Sequence, residues 1–209
     1  MWRMKQILLI IAVVMGQSVL AADKKPLIAD PIVEKEVRRV LKKPEGKLTK
    51  ADLEKVADLY LGDTKITDAG LKDVAKMKQL ERLGLDNTQI TDAGLKEVAK
   101  LQKLEGLYLG HTKITDAGLK EVAKLQKLTF LRLSFTNITD AGLKKVAKLQ
   151  QLTYLGLRGT KITDVGLKEV AKVKQLKYLY LTGTKVTKAG VAELKKELPK
   201  CRISSNPEK

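Results

Sequence analysis

The sequence repeats itself every 24 residues over most of its length. Six copies of the repeated unit fill residues 56–199 without a gap, and they begin at Val56, Leu80, Leu104, Leu128, Leu152 and Leu176. A fixed period of this length is typical of a solenoid, in which each unit contacts only the units before and after it. The repeat therefore predicts one stacked array.

Each unit changes its hydrophobic period part-way along. In the second unit, Leu83 and Leu85 alternate with polar residues, as in a half-buried strand, whereas Leu95, Val98 and Ala99 recur at helical spacing. About seven aliphatic side chains per unit would contribute roughly 1.5–3 kcal/mol each. Ordering the backbone costs about 1–2 kcal/mol per residue, so one unit is unstable alone. Stacked units are expected to form a parallel sheet with the helices outside it.

Two kinds of polar position recur in the units. Thr91 can cap the helix of its unit, and Asp92 would then lie in the first helical turn, where a carboxylate favours the helix dipole. The ninth residue of every unit is a threonine, whose hydroxyl can bond a backbone group of the next repeat. We assign these threonines a structural role. They are Thr64, Thr88, Thr112, Thr136, Thr160 and Thr184.

The unit reads L-x-x-L-x-L-x-x-T-x-I-T-D-A-G-L-x-x-V-A-K-L, which resembles the leucine-rich repeat family. It is most similar to the cysteine-containing "ITDAGL" type of F-box-associated receptors and of many secreted bacterial proteins. The resemblance covers about two thirds of the chain. It implies an α/β fold, a right-handed β-α superhelix shaped as a horseshoe, with a concave parallel sheet and convex helices.

The first residues have the pattern of a secretory signal peptide. Basic Arg3 and Lys5 precede an apolar run at residues 7–14, and small residues follow around Ala21. The apolar run is short for a membrane span, which needs about 20 residues. We therefore predict a signal peptide at residues 1–21 and a mature protein that is secreted, periplasmic or on the cell surface. Export conflicts with the intracellular ubiquitin-ligase role that the repeat type of F-box-associated receptors would suggest.

Residues 22–55 are predicted to be an N-terminal linker and helical cap, because an open solenoid must cover its first apolar end. Asp30 and Pro31 are expected to begin a helix as its N-cap and first residue. Thr49 and Asp52 resemble a capping box that opens a short helix over residues 51–56.

The C-terminal end of the array departs from the repeat pattern. In the sixth unit Lys188 replaces the aspartate, and a longer helix is expected over residues 191–198. Residues 200–209 are predicted to be a C-terminal cap and tail. The only cysteine, Cys201, is expected to pack in this cap rather than to join two chains.

Aromatic and arginine side chains concentrate at strand positions that point away from the core, namely the third, fifth, seventh and eighth of each unit. Those in the repeats are Tyr60, Tyr108, Tyr154, Tyr178, Tyr180, Phe130, Phe135, Arg82, Arg132 and Arg158, together with His111. Phe130, Tyr154 and Tyr178 share the third position and are expected to stack about 5 Å apart. His111 has no nearby partner in the pattern and is interpreted as an ordinary exposed side chain.

Aromatic and arginine residues are enriched at binding hot spots, although tyrosine and phenylalanine also suit exposed strands by propensity alone. Propensity does not explain arginine in a chain so rich in lysine. The predicted ligand-binding residues on the concave sheet are Tyr108, Phe130, Arg132, Tyr154, Arg158, Tyr178 and Tyr180.

These patterns predict a secreted, monomeric, non-enzymatic module that recognises a protein or a glycan, with no cofactor and no membrane span in the mature form. The sequence contains no recognisable nucleophile–base arrangement, phosphate loop or metal cluster. The formal charge of +17 suits nucleic acid, but export argues against it as the natural partner. The alternative is a structural or envelope-surface protein that binds an anionic polymer through its lysine-rich convex helices.

Overall fold

The computed structural model describes residues 26–206. Seven short strands form a single parallel sheet in chain order, and each residue pairs with the residue 24 positions later, as Leu83 does with Leu107. The strands are β1 Asp58–Tyr60, β2 Arg82–Gly84, β3 Gly106–Tyr108, β4 Phe130–Arg132, β5 Tyr154–Gly156, β6 Tyr178–Tyr180 and β7 Arg202–Ser204. The predicted α/β solenoid is confirmed.

Helical segments connect the strands. They are α1 Pro31–Leu41, α2 Lys50–Leu53, α3 Leu71–Val74, α4 Leu95–Val98, α5 Leu119–Val122, α6 Asp140–Val146, α7 Asp164–Val170 and α8 Lys188–Glu197. None of the helices within residues 26–206 is long and apolar enough to cross a membrane. The predicted signal peptide at residues 1–21 lies outside the described residues. The predicted division of the chain into signal peptide, N-terminal cap, repeats and C-terminal cap stays a prediction.

The core is one continuous cluster that runs the length of the array. Leu107 and Leu109, the fourth and sixth residues of the third unit, have no exposed surface, and the same positions are equally buried in the other five units. Because strand side chains alternate between faces, the third and fifth residues must point to the opposite face. The cluster extends from Ile28 in the cap to Cys201.

The N-terminal cap begins as predicted. Asp30 Oδ1 accepts from the backbone N–H groups of Ile32 and Val33 at 2.9 and 3.1 Å, and α1 buries Val33 and Val37 against the array. Asp73 in the first repeat accepts from the Asp30 backbone N–H at 2.8 Å, which joins the cap to the repeats.

The capping box at Thr49 and Asp52 is present, with each side chain bonded to the other's backbone N–H at 3.2 and 2.9 Å. However, α2 ends at Leu53, three residues before the predicted end. The chain has to extend before Asp58 begins β1, so no room remains for a further helical turn.

The C-terminal cap differs from the prediction in two ways. Helix α8 begins at Lys188 rather than at residue 191, because Thr187 caps it by accepting from the Gly190 backbone N–H at 3.1 Å. The chain then adds a seventh strand to the sheet, which the sequence did not predict. Cys201 is buried as expected, and burial raises the pKa of its thiol to about 11.

The ninth-position threonines act within their own repeat, not toward the next one as predicted. Thr112 Oγ1 donates to the carbonyl oxygen of Leu109 at 2.6 Å, and the other five threonines bond in the same way to a leucine three residues earlier. The hydroxyl closes the turn that follows the strand by this local side-chain-to-backbone bond.

The repeats are bonded to each other by aspartates instead. Asp116 Oδ1 accepts from the Thr139 backbone N–H at 2.9 Å, and its Oδ2 accepts from the Thr139 hydroxyl at 2.6 Å. We call this series of bonds the aspartate ladder. Its pairs are Asp68–Thr91, Asp92–Thr115, Asp116–Thr139, Asp140–Thr163 and Asp164–Thr187.

The aspartate ladder also explains a glycine in the motif. A Cβ atom added at Gly142 would collide with Asp116 Oδ1 of the preceding repeat, so the close approach of the carboxylate requires a residue without a side chain. The matching residues in the other repeats face the same collision with the preceding aspartate. They are Gly94, Gly118, Gly166 and Gly190.

Removing one step of the aspartate ladder should be measurable by denaturant unfolding. We expect Asp116→Ala to lower the free energy of unfolding by about 1–3 kcal/mol, because two part-buried hydrogen bonds between repeats are lost. Gly142→Ala should also destabilise. The double variant should lose less than the sum of the two, since the added methyl no longer meets a carboxylate. Additive losses would contradict this account, and Asn137→Ala, at an exposed neighbouring position, is the control.

Candidate functional site

The concave face is formed by the outward strand positions and the turns that follow them. All seven residues predicted to bind a ligand lie on it, half-buried or exposed. Within residues 26–206, no group of three or more histidine, cysteine, aspartate or glutamate side chains could hold a metal ion. The chemistry that this face offers is that of rings, hydroxyls and charges.

Five aromatic rings contact one another in sequence across the concave face. Tyr60 meets Tyr108 edge-on at 6.1 Å between centroids, and Tyr108 meets Phe130 at 4.6 Å. Phe130 and Tyr154 are stacked at 4.0 Å with 10° between their planes, and Tyr154 meets Tyr180 at 5.2 Å. We call these five residues the ring row.

The ring row follows a different path from the one predicted. Phe130 and Tyr154 stack as expected, but the next ring in contact is Tyr180 rather than Tyr178. Gly156 places no side chain beside Tyr180, its partner on the neighbouring strand, and Tyr154 contacts that ring diagonally. Tyr178 stays outside the row with 44% of its surface exposed.

A second glycine lets the ring row pass over β2. A Cβ atom at Gly84 would lie 2.6 Å from Tyr60 Cδ1, so the tyrosine ring occupies the place where a side chain would stand. Tyr60 thereby reaches Tyr108 two strands away. Tyr60 was predicted to lie on this face but was not among the predicted binding residues.

Tyr108 and Tyr154, two tyrosines of the ring row, keep their protons. Burial raises the pKa of Tyr108 and of Tyr154 above the ordinary tyrosine value, and their ring neighbours Tyr60 and Tyr180 add to the effect. Each phenol is therefore neutral at physiological pH and can donate or accept a hydrogen bond.

The three arginines of the face have different partners. Arg82 binds Asp58 with both carboxylate oxygens engaged, which lowers the pKa of Asp58 and raises that of Arg82. Arg132 lies 3.7 Å from Asp86. Arg158 has no carboxylate within ion-pair distance among the described residues, and its guanidinium lies 5.9 Å from the centre of the Phe135 ring.

The eighth residue of every repeat has a left-handed backbone. The φ values are 57° at Asp63, 54° at Asn87, 54° at His111, 58° at Phe135, 65° at Gly159 and 77° at Gly183. Aspartate, asparagine and glycine tolerate this conformation, whereas a bulky aromatic residue rarely adopts it. The one phenylalanine in this column is therefore unusual.

Phe135 forms a second aromatic contact beside the ring row. It stacks on His111 with 4.4 Å between ring centroids, it covers Gly159, and 45% of its surface is exposed. His111 is exposed, as predicted, and it has Phe135 as an aromatic partner. The sequence did contain a signal for Phe135, namely a bulky ring in a column otherwise made of aspartate, asparagine, histidine and glycine.

Comparison with known proteins agrees with this architecture. The family model described as "Leucine Rich repeat" matches residues 100–123, 124–147 and 148–171. The matched segments are each 24 residues long, which is the offset between paired residues of neighbouring strands. The matches therefore agree with a parallel solenoid that has a concave face. Residues 100–171 therefore consist of three leucine-rich repeats. The cysteine-containing subtype stays a prediction.

Three solved structures are similar. An internalin from Listeria monocytogenes is 24% identical with a TM-score of 0.67, over 89% of this chain and 59% of its own. A second internalin from that organism is 22% identical with a TM-score of 0.51, over 86% of this chain and 95% of its own. A leucine-rich repeat protein from Leptospira interrogans is 20% identical with a TM-score of 0.51, over 75% of this chain and 51% of its own.

At these identities the three likenesses establish the fold and not a shared function. This chain spans 59% of the length of the first internalin, so that protein is considerably longer. No curated protein matches the sequence.

The left-handed Phe135 gives a prediction about stability. The left-handed conformation costs a bulky residue roughly 1–2 kcal/mol, while its exposed ring contact contributes about 0.5–1.5 kcal/mol. We expect Phe135→Asn, which copies Asn87 of the second repeat, to leave the unfolding free energy unchanged or to raise it by up to about 1 kcal/mol. Phe130→Ala, at an ordinary strand position, should lower it. A loss above about 2 kcal/mol for Phe135→Asn, read by denaturant unfolding, would contradict the strain argument.

Proposed function

We propose that this protein is an exported, non-enzymatic module that binds a protein partner through its concave face. The observation that carries the proposal is the ring row, which runs from β1 to β6 without a break. Aromatic residues dominate the energetics of protein interfaces, and solenoids commonly bind on the concave sheet. Export is inferred from the predicted signal peptide at residues 1–21.

The arrangement of the rings favours a protein over a glycan or a nucleic acid. Sugars and bases stack on the open face of an aromatic ring. The faces of Phe130 and Tyr154 cover each other at 4.0 Å, so the pair presents mainly its edges and the tyrosine hydroxyl outward. Ring edges and hydroxyls suit the mixed apolar and polar side chains of a protein surface.

The convex helices give less support to the alternative, an envelope-surface protein that binds an anionic polymer. In each of five repeats, a helical lysine is paired with a carboxylate three residues earlier, as Lys100 is with Glu97 at 2.7 Å. The other pairs are Lys76–Asp73, Lys124–Glu121, Lys172–Glu169 and Lys196–Glu193. The fourth repeat differs from the other five, because Lys145 occupies the position that holds the paired carboxylate in those repeats. Local pairing reduces the positive potential that a polyanion would meet.

The proposal is tested by two tyrosines at the same position of neighbouring strands. Tyr154 belongs to the ring row and Tyr178 does not. The protein without residues 1–21 is immobilised and used to capture partners from an envelope extract of the source organism at 0.15 M salt. We expect Tyr154→Ala to weaken capture of one defined protein by about tenfold or more, the effect of losing a hot spot. Tyr178→Ala should have a much smaller effect.

Equal capture by the wild type and Tyr154→Ala would overturn the proposal. Capture that disappears from all variants on raising the salt concentration would favour the polybasic alternative. A captured species that resists proteases but not glycosidases would indicate a glycan. Thermal melting of each variant shows that any loss of capture does not come from unfolding.

A further inference from the structure

Charges on the concave face are divided between its two ends. The outward positions of repeats one to three, together with the position-two residues that border the face, carry five carboxylates and one guanidinium, a formal charge of −4. The carboxylates are Asp58, Asp63, Glu81, Asp86 and Glu105, and the cation is Arg82. We call this part the acidic half.

The same positions from the fourth repeat to β7 carry four cations and no carboxylate, a formal charge of +4. These cations are Arg132, Arg158, Lys177 and Arg202. We call this part the basic half. Arg132 and Asp86, 3.7 Å apart, form the one ion pair found across the boundary between the halves among the described residues.

Much of this charge is open to a partner. Glu81 and Glu105 are exposed and have no ion pair within the described residues, and Arg158 has none in the basic half. In the acidic half, Arg82 is neutralised by Asp58. The lysines that follow the turns do not change the contrast, because two flank each half. They are Lys65 and Lys113 beside the acidic half and Lys161 and Lys185 beside the basic half.

The two halves act as separate electrostatic sites. Their centres are about three and a half strands, or about 17 Å, apart, and the screening length at physiological ionic strength is about 8 Å. The ring row crosses the boundary between them. On the acidic side, a cavity of about 220 Å³ beside Gly106 is lined by residues that include Glu81, Arg82, Glu105, Tyr108 and Phe130, and the guanidinium of Arg82 is bound by Asp58. Carboxylates beside aromatic rings favour an ammonium or guanidinium group.

We infer that the partner is a protein segment with a basic end and an acidic end, held in one direction along the sheet. Its basic end lies over the acidic half, with a lysine or arginine at the Gly106 cavity. Its middle packs on the ring row, and its acidic end lies over the basic half near Arg158. The reverse direction places like charges together at both ends, which disfavours it. This inference rests on the proposed function, since the ring row is its central contact.

Two synthetic peptides of identical composition test the inference. One has four lysines, a central stretch with a tryptophan and serines, and four glutamates; the other has the lysines and glutamates alternating around the same centre. Fluorescence anisotropy at 0.15 M salt should show the block peptide binding about tenfold tighter than the alternating one. A photo-crosslinker at the lysine end should label repeats one to three, and one at the glutamate end should label repeats four to six.

Charge reversal on either face supplies the matched control. Glu81→Lys with Glu105→Lys should remove the preference for the block peptide. Glu97→Lys with Glu169→Lys changes the net charge equally, but on the convex helices, and should leave the preference in place. Equal affinity for the two peptides, no binding of either, crosslinks at the opposite ends, or the same loss in both reversal variants would overturn the inference.

The Tyr154→Ala variant separates this inference from the proposed function. If both peptides bind equally and both are lost in Tyr154→Ala, the ring row binds but the charge pattern gives no direction. If the block preference survives undiminished in Tyr154→Ala, the charges select the peptide and the ring row is not the central contact.

Discussion

The aspartate ladder is the interaction on which the rest of the structure depends. Each step satisfies a backbone N–H and a threonine hydroxyl of the next repeat with one carboxylate, as Asp116 does for Thr139. The collision that a side chain at Gly142 would make with Asp116 shows how closely the repeats approach. Since every step has the same geometry, each repeat is placed on the last in the same register. In a structure stabilised by nearest-neighbour contacts, that regularity is what makes the sheet continuous.

The constant register turns the sequence into columns on the concave face. Residues 24 positions apart become neighbours about 4.8 Å apart, so a glycine in one repeat determines how far a ring from the adjacent repeat can lean. Gly84 acts in this way on Tyr60. The segregation of charge arises from the same columns, because acids in early repeats and bases in later ones become the two ends of one surface.

The fold could be predicted from the sequence because its signals are local and repeated six times. The strand and the helix of each repeat, and the helix caps at Asp30 and Thr49, are specified by residues within a few positions of one another. The path of the ring row could not be predicted, because it depends on the space left by a glycine on a neighbouring strand. The left-handed φ value at Phe135 was not predicted either, because the repeat imposes it and not the phenylalanine itself. Strand β7 was missed because its short segment, Arg202–Ser204, lacks the leucine pattern of the other strands.

The contacts within the ring row matter for binding as well as for packing. An isolated exposed tyrosine samples several rotamers, and fixing it on a partner costs about 0.5–1.5 kcal/mol of side-chain entropy. The stacked pair of Phe130 and Tyr154 is already restrained by its neighbours and by the sheet beneath. A surface whose rings are ordered before binding loses less entropy when a partner arrives, so more of the contact energy becomes affinity. The ring contacts set by the packing of the repeats therefore also preorganise the surface for the recognition proposed for the concave face.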